Sequence, residues 1–347
     1  MRLGYNRGVR AYQIGPNFGL DNLTLQDLPS TPLTTHQVRV RVRAVSINYR
    51  DLLMVRGHYN PKQPLPLTPC SDAVGEVIEV GSEVEAYKVG DRVASCFFQD
   101  WSARPVPRDA NSIRSTLGGP LPGVLGQEVC LQERGIVHAP ATLDDAQVAT
   151  LPCAALTAWS ALVTQGNLQA GDVVLIQGTG GVALFALAFA KMLGARVIIT
   201  SSSDEKLERA KALGADETIN YVSEPEWGRV ARKLSGGLGV DHVVELGGAG
   251  TLTQSMAAVR AGGHISLIGV LAGGAAKLNL TPILMRNIRV QGVLVGPRSD
   301  FEAMNRAIAH NGLSVVVDKI FPFDEAPAAF EHMAGATHFG KICIAVD

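Results

Sequence analysis

Residues 177–183 read QGTGGVA, between the apolar run DVVLI and LFALAFAKMLGA, whose apolar residues suit a buried helix. Strand, glycines, helix is the order in which a glycine-rich turn can hold a phosphate. Gly178 permits the tight turn, and after Thr179, Gly180 lets the backbone approach a pyrophosphate. A helix opening at Gly181 and Val182 offers free N–H groups to the anion. Ala183 stands where a third glycine usually lies, and its methyl still permits close helix–strand packing. A glycine turn can also merely punctuate a chain, but the flanking elements here predict a dinucleotide site.

The end of the next strand distinguishes one dinucleotide from another, because an acidic side chain there accepts the ribose 2′-hydroxyl of NAD. In this chain ARVIIT runs into Ser201, Ser202 and Ser203, with Lys206 one turn on. Hydroxyls and a lysine accommodate a 2′-phosphate that a carboxylate would repel. Asp204 is expected to support a helix start, with Ser202 and Glu205 at capping-box spacing. NADP(H) is therefore expected over NAD(H).

Two rhythms position these residues. Up to about residue 143 the chain is β-rich: QVRVRVRAVSI (37–47) alternates as a half-buried strand does, and AVGEVIEVGSEVEAYKVGDRVAS is broken by Gly75, Gly81 and Gly90. From 144 to 296 short buried strands alternate with helices of ten or so residues, the pattern of βαβ units in a doubly wound parallel sheet. The closing GKICIAV is expected to return as a strand to the first domain. The domains are thus read as 1–143 with 297–347, and 144–296, an α/β protein.

Bulk properties narrow the partners. The chain has 347 residues, 46% hydrophobic, and a net charge of −1 with no basic stripe, so a nucleic-acid partner is not expected. No apolar run reaches membrane-spanning length and the start lacks a signal-peptide core, so a cytoplasmic protein with no membrane partner is expected. Cys70, Cys96, Cys130, Cys153 and Cys343 are odd in number and never spaced as CxxC, which suits reduced buried thiols.

The chain resembles the medium-chain dehydrogenase/reductase superfamily in VGEVIEVGSEVEAYKVGDRV, LPCAALTAWSAL, QGTGGVALFALAFAK and HFGKICIAVD, motifs spread over essentially its whole length and in order. The resemblance implies a GroES-like catalytic domain with a Rossmann cofactor domain inserted before the C-terminal segment. Zinc members carry three catalytic ligands, and the matching positions here are Asn48, Ser71 and Cys153. Asn and Ser are poor zinc ligands, and no cysteine lies in 97–129 to form a structural zinc lobe. A rescue through Cys70, Asp72 or His58 is the remaining route to a metal. The branch resembled is the zinc-free one, similar to quinone oxidoreductases and their alcohol-dehydrogenase-like relatives, so no metal is expected.

Without a metal to polarise an alcohol, an acceptor that is already electrophilic is the easier substrate. The expected reaction is NADPH-dependent hydride transfer to a quinone or an α,β-unsaturated carbonyl compound. The alternatives are a zinc-free alcohol dehydrogenase and a non-catalytic NADPH-binding sensor. Candidate catalytic residues are Asn48, as an amide donor to the substrate oxygen, Tyr49, and Arg50, which could bind an acidic group. The resemblance further places Thr157 at the nicotinamide end, the backbone of Leu267, Ile268, Gly269 and Val270 along the carboxamide, and Lys341 near the cofactor cleft. NIRVQGVLVGP reads as the last strand of the cofactor sheet, whose exposed edge predicts a homodimer.

Overall fold

The structure is a computed structural model that describes residues 8–347; the first residues of the stretch read for a leader lie outside it. Fifteen strands are described. Those up to residue 143 are β1 (Gly8–Ile14), β2 (Leu23–Pro29), β3 (Gln37–Ile47), β4 (Asp72–Val80), β5 (Arg92–Ser95), β6 (Glu128–Gln132) and β7 (Ile136–His138). Then follow β8 (Val173–Gln177), β9 (Arg196–Ser201), β10 (Glu217–Asn220), β11 (Val240–Glu245), β12 (Val259–Leu267) and β13 (Arg289–Gly292), and finally β14 (Val317–Pro322) and β15 (Lys341–Ala345).

The chain divides into two compact units: residues up to 153 with 297–312 and 317–347, and 154–296 with 313–316. The first unit holds an antiparallel β1–β2 ribbon and a seven-stranded sheet ordered β14-β15-β3-β4-β5-β7, with β6 also on β3. The alternation of QVRVRVRAVSI becomes β3, whose Val38, Val40 and Val42 are buried while Arg41 and Arg43 are exposed. β15 pairs antiparallel with β3, Ile342 opposite Ile47, so the last strand sits beside residue 48.

The rhythm of the sequence changes near 143, but the first unit keeps ten more residues. Asp145 anchors that extra segment through an ion pair with Arg92 at 2.6 Å, and Asp72 accepts the Cys153 N–H at 3.1 Å. Side-chain periodicity marks where the helices begin, not which sheet covers them.

The second unit is a six-stranded parallel sheet ordered β10-β9-β8-β11-β12-β13. Its central strands are buried on both faces, as parallel strands covered by helices must be. The helix Gly181–Met192 buries Phe185 and Phe189, the latter edge-on to Trp159 at 5.4 Å. Sequence order reverses between β8 and β11, the place where open α/β sheets bind ligands at the carboxyl ends of their strands. Among the described residues no helix is long and apolar enough to cross a membrane.

Candidate active site

The glycine cluster lies at the carboxyl end of β8. Gly178 has φ 74°, and its N–H donates to Thr200 O at 2.8 Å, tying the turn to β9. A Cβ built at Gly178 or at Gly180 would meet nothing within 4 Å, so the turn faces open space. Gly180 caps the helix Gly181–Met192 without a side chain, and the first helical bond is from Leu184 N to Gly180 O. The N–H groups of Gly181, Val182 and Ala183 therefore have no intrahelical acceptor. Thr179 is buried. A twelve-residue helix with an unblocked positive end fits a phosphate group.

The three serines after β9 divide their work. Ser201 is buried and its Oγ accepts the Ser203 N–H at 3.3 Å. Ser203, not Ser202, is the N-cap of the helix Asp204–Ala212, accepting the Lys206 N–H at 3.3 Å. This corrects the capping-box reading by one residue. Asp204 stands in the helix's first turn, as expected, and also accepts the Asn220 amide at 2.7 Å, leaving Ser202 as the exposed hydroxyl of the three. Lys206 is half-buried in the first turn.

Residues 267–270 follow β12. Ile268 N and Gly269 N both donate to Glu245 O, at 2.9 and 3.3 Å, so these two N–H groups are committed within the fold; Val270 is exposed. Leu267 O accepts Val293 N at 3.0 Å. Thr157 is buried on a single α-helical turn, Leu156–Trp159, between two π-helical turns. Such wide turns recur at functional sites.

The first unit holds the other cluster. Asn48 is buried and caps the helix Tyr49–Val55; its N–H donates to Asp51 Oδ2 at 2.8 Å. Lys341 is buried here: its Nζ donates to Ile47 O at 2.8 Å and to Asn48 Oδ1 at 2.5 Å. An ammonium has only donors, so it must face the amide oxygen, and this assigns the Asn48 flip. Nδ2, on the other side, is buried and makes no hydrogen bond. Asp72 lies near enough to feel that amide. Burial raises the Asp72 carboxyl, and Lys341, the Asn48 amide, the Ser71 hydroxyl and the Cys153 N–H oppose the rise.

Arg50 is not a free cation. Its guanidinium donates to Leu117 O at 2.6 Å, Thr116 Oγ1 at 3.2 Å and Gly119 O, and it lies 5.1 and 5.2 Å from the ring centres of Tyr59 and Phe97. These contacts give it a structural role, holding the 116–119 loop. Tyr49 is half-exposed at the first helical position, and His58 is exposed.

The ligand positions do not suit zinc. Asn48 Oδ1 is occupied by an ammonium, which repels a dication, and Ser71 Oγ donates to Asp72 Oδ1 at 2.5 Å. Asp72 spends its other oxygen on Cys153 N. Among the described residues no group of three His, Cys, Asp or Glu side chains is arranged to hold a metal ion.

Comparison with known proteins completes the picture. Residues 34–141 match the alcohol dehydrogenase GroES-like domain, and residues 181–310 match the family described as zinc-binding dehydrogenase. A zinc-type alcohol dehydrogenase-like protein of Schizosaccharomyces pombe is 42% identical over 321 residues, covering 91% of this chain and 92% of its own. The chain belongs to the medium-chain dehydrogenase/reductase superfamily. A solved structure of an NAD-dependent alcohol dehydrogenase superposes with a TM-score of 0.88 at 31% identity, covering 97% of this chain and 100% of its own. A 2-haloacrylate reductase of Burkholderia is 28% identical, covering 97% and 98%. Members of this superfamily bind nicotinamide cofactors, so the protein is an oxidoreductase of the medium-chain type.

Two site features escaped the sequence reading. One is that Asp72, named only as a route to a metal, comes close enough to Asp51 to raise its carboxyl across 21 residues of chain. The other is Glu245 with Gln177. The only sequence signal for Glu245 was a carboxylate inside a buried strand pattern, DHVVELGG, with no cation at pairing distance along the chain.

Proposed function

We propose that this oxidoreductase uses NADPH to reduce a quinone or an α,β-unsaturated carbonyl compound, and that it does so without zinc. The observation that carries the proposal is Asn48. Lys341 holds its amide oxygen, leaving Nδ2 as a buried donor that completes no hydrogen bond, though near the Asp72 carboxyl, at a position where zinc members place a ligand. A buried amide donor stabilises negative charge growing on a substrate oxygen, and the adjacent fixed ammonium adds to that potential. Asp51 holds the Asn48 backbone, and Arg50 holds the 116–119 loop beside it. The relative named for 2-haloacrylate reduction acts on a conjugated acceptor, which supports this substrate class.

The Gly178–Val182 turn and its helix would hold the cofactor phosphates, with Ser202 and Lys206 toward a 2′-phosphate. When bound, the reduced nicotinamide supplies the hydride. The chain's own task is to place donors at the substrate oxygen.

Incubating the purified protein with a strong chelator and following NADPH oxidation over a panel of quinones and enones tests this reading. Turnover should survive chelation and be slower with NADH. Loss of activity that returns with added zinc would overturn it. A second reading, a zinc-free alcohol dehydrogenase, is favoured by the solved NAD-dependent alcohol dehydrogenase. It would show as alcohol oxidation exceeding acceptor reduction in the same assay. Saturable NADPH binding without turnover would point to a sensor instead.

We also propose a cytoplasmic homodimer whose only other partner is a small-molecule substrate. β13 is the outer strand of its sheet, and Leu280, Leu284, Met285 and Leu294 around it are exposed, as expected of a face awaiting a second copy.

A further inference from the structure

Glu245 ends β11 with its side chain fully buried. No ion pair to it is found among the described residues, yet its carboxylate accepts five hydrogen bonds. Oε1 takes Gly247 N and Gly248 N, both at 2.9 Å, and Thr251 Oγ1 at 2.5 Å. Oε2 takes Gln177 Nε2 at 2.7 Å and Ser255 Oγ. A buried carboxylate without a cation is costly unless its lone pairs are filled, and here they are. Three of the five donors are N–H groups that cannot accept, so the site calls for an oxygen at each end.

The same residue acts through its main chain. Its carbonyl accepts Ile268 N and Gly269 N, the start of the segment after β12. Gln177, the last residue of β8, accepts Leu246 N and Gly247 N at 3.0 Å each. The loops after β11 and β12 are then stitched together: Ala249 N to Gly273 O at 2.9 Å, and Ala272 N to Gly247 O at 2.7 Å. Gly269 passes so close that an added Cβ would lie 2.3 Å from Leu246 O. Displacing either loop displaces the other.

Gln177 and Glu245 thus end the two adjacent strands between which sequence order reverses, and Gly178 follows Gln177 directly. We propose that Glu245, seated on Gln177, is a positioning residue for cofactor binding: it fixes the 246–250 and 268–273 loops beside the phosphate turn before any cofactor arrives. Pre-ordering removes part of the entropy cost of binding. The inference rests on the nicotinamide-cofactor reading of the Gly178–Val182 turn.

Glu245→Gln turns one acceptor oxygen into a donor facing donors. In the cofactor-free protein, amide hydrogen exchange at 246–250 and 268–273 should accelerate about tenfold or more. The NADPH dissociation constant should rise by a similar factor, while the KM for the acceptor at saturating cofactor stays near wild type. Ser255→Ala removes a donor that comes from a helix and not from either loop; it should lower thermal stability and leave both readouts unchanged. Unchanged exchange and unchanged NADPH affinity in a folded Glu245→Gln protein would overturn the inference, as would equal effects from Ser255→Ala. If Glu245→Gln fails to fold, Gln177→Met, which strips the acceptor from Leu246 N and Gly247 N, decides by the same measurements. Wild-type protein that bound neither NADPH nor NADH would overturn the cofactor reading itself, and this inference with it.

Discussion

Asn48 shows how one side chain can be assigned a role by its neighbour. Lys341 Nζ sits on the amide oxygen, so any chemistry at this residue runs through Nδ2. Asn48→Asp tests that division cleanly. The new carboxylate would still accept from Lys341, now as an ion pair, so the thermal midpoint should hold or rise. The donor would be gone, and kcat should fall roughly 10²- to 10³-fold, as when an oxyanion-hole donor is removed. Steady-state kinetics with the best acceptor from the panel, alongside a melting curve, checks both halves; a variant with wild-type kcat would remove Asn48 from the chemistry. The donor role was the expectation from the sequence; the contact that fixes its direction was not. Residue types nominated Asn48, but its partner lies 293 positions away, and the resemblance had assigned Lys341 to the cofactor. Arg50 went the same way: its charge suggested a ligand, while its acceptors at 116–119 come from a loop more than sixty residues on.

The helix Tyr49–Val55 begins on a buried carboxylate, and that leaves a pH signature on stability. Burial pushes the Asp51 carboxyl up to about 6; Arg50 opposes the rise, Asp72 adds to it, and the Asn48 N–H and Lys341 oppose it further. The unfolded value is about 3.9. Between the two, the folded protein holds a proton that the unfolded chain has released, so this contribution to stability is lost as pH rises from about 4 to about 6. Asp51→Asn keeps an oxygen for the Asn48 N–H and cannot ionise. Denaturant titrations should show the variant gaining on the wild type across that window, with a constant difference above it. The difference is the quantity to follow, because His264 contributes the opposite slope. Burial, then Arg289 and His242, depress that imidazole to about 4. A difference independent of pH would mean that Asp51 does not titrate there. Element boundaries themselves were mostly readable, since alternation produced β3 over Gln37–Ile47 as expected. The cap of the helix after β9 was misjudged by one residue, because Ser202 and Ser203 are chemically equal caps and only the bend of the chain chooses between them.

At the scale of the molecule, the edge of the second sheet carries the prediction. β13 has four residues and no strand beyond it, and Leu280, Leu284, Met285 and Leu294 leave apolar surface exposed nearby. Light scattering at micromolar concentration should report twice the chain mass. Leu284→Glu combined with Leu294→Glu should shift it toward one chain mass with little loss of secondary structure, since both side chains are exposed. A monomeric wild type would refute the pairing.

Order along the chain was sufficient for the architecture, because burial period, glycine punctuation and helix caps are local and repeat from unit to unit of a doubly wound sheet. It was also sufficient for the turn at Gly178–Val182, whose strand, glycines and helix are contiguous. Side chains that meet across long stretches of chain were beyond its reach. Folding alone brought the Lys341 ammonium to Asn48, tied the Arg50 guanidinium to a distant loop, and filled the Glu245 carboxylate with donors from three segments. In each case burial demands a partner for a polar group, but pairing along a chain has no periodicity to announce who that partner is.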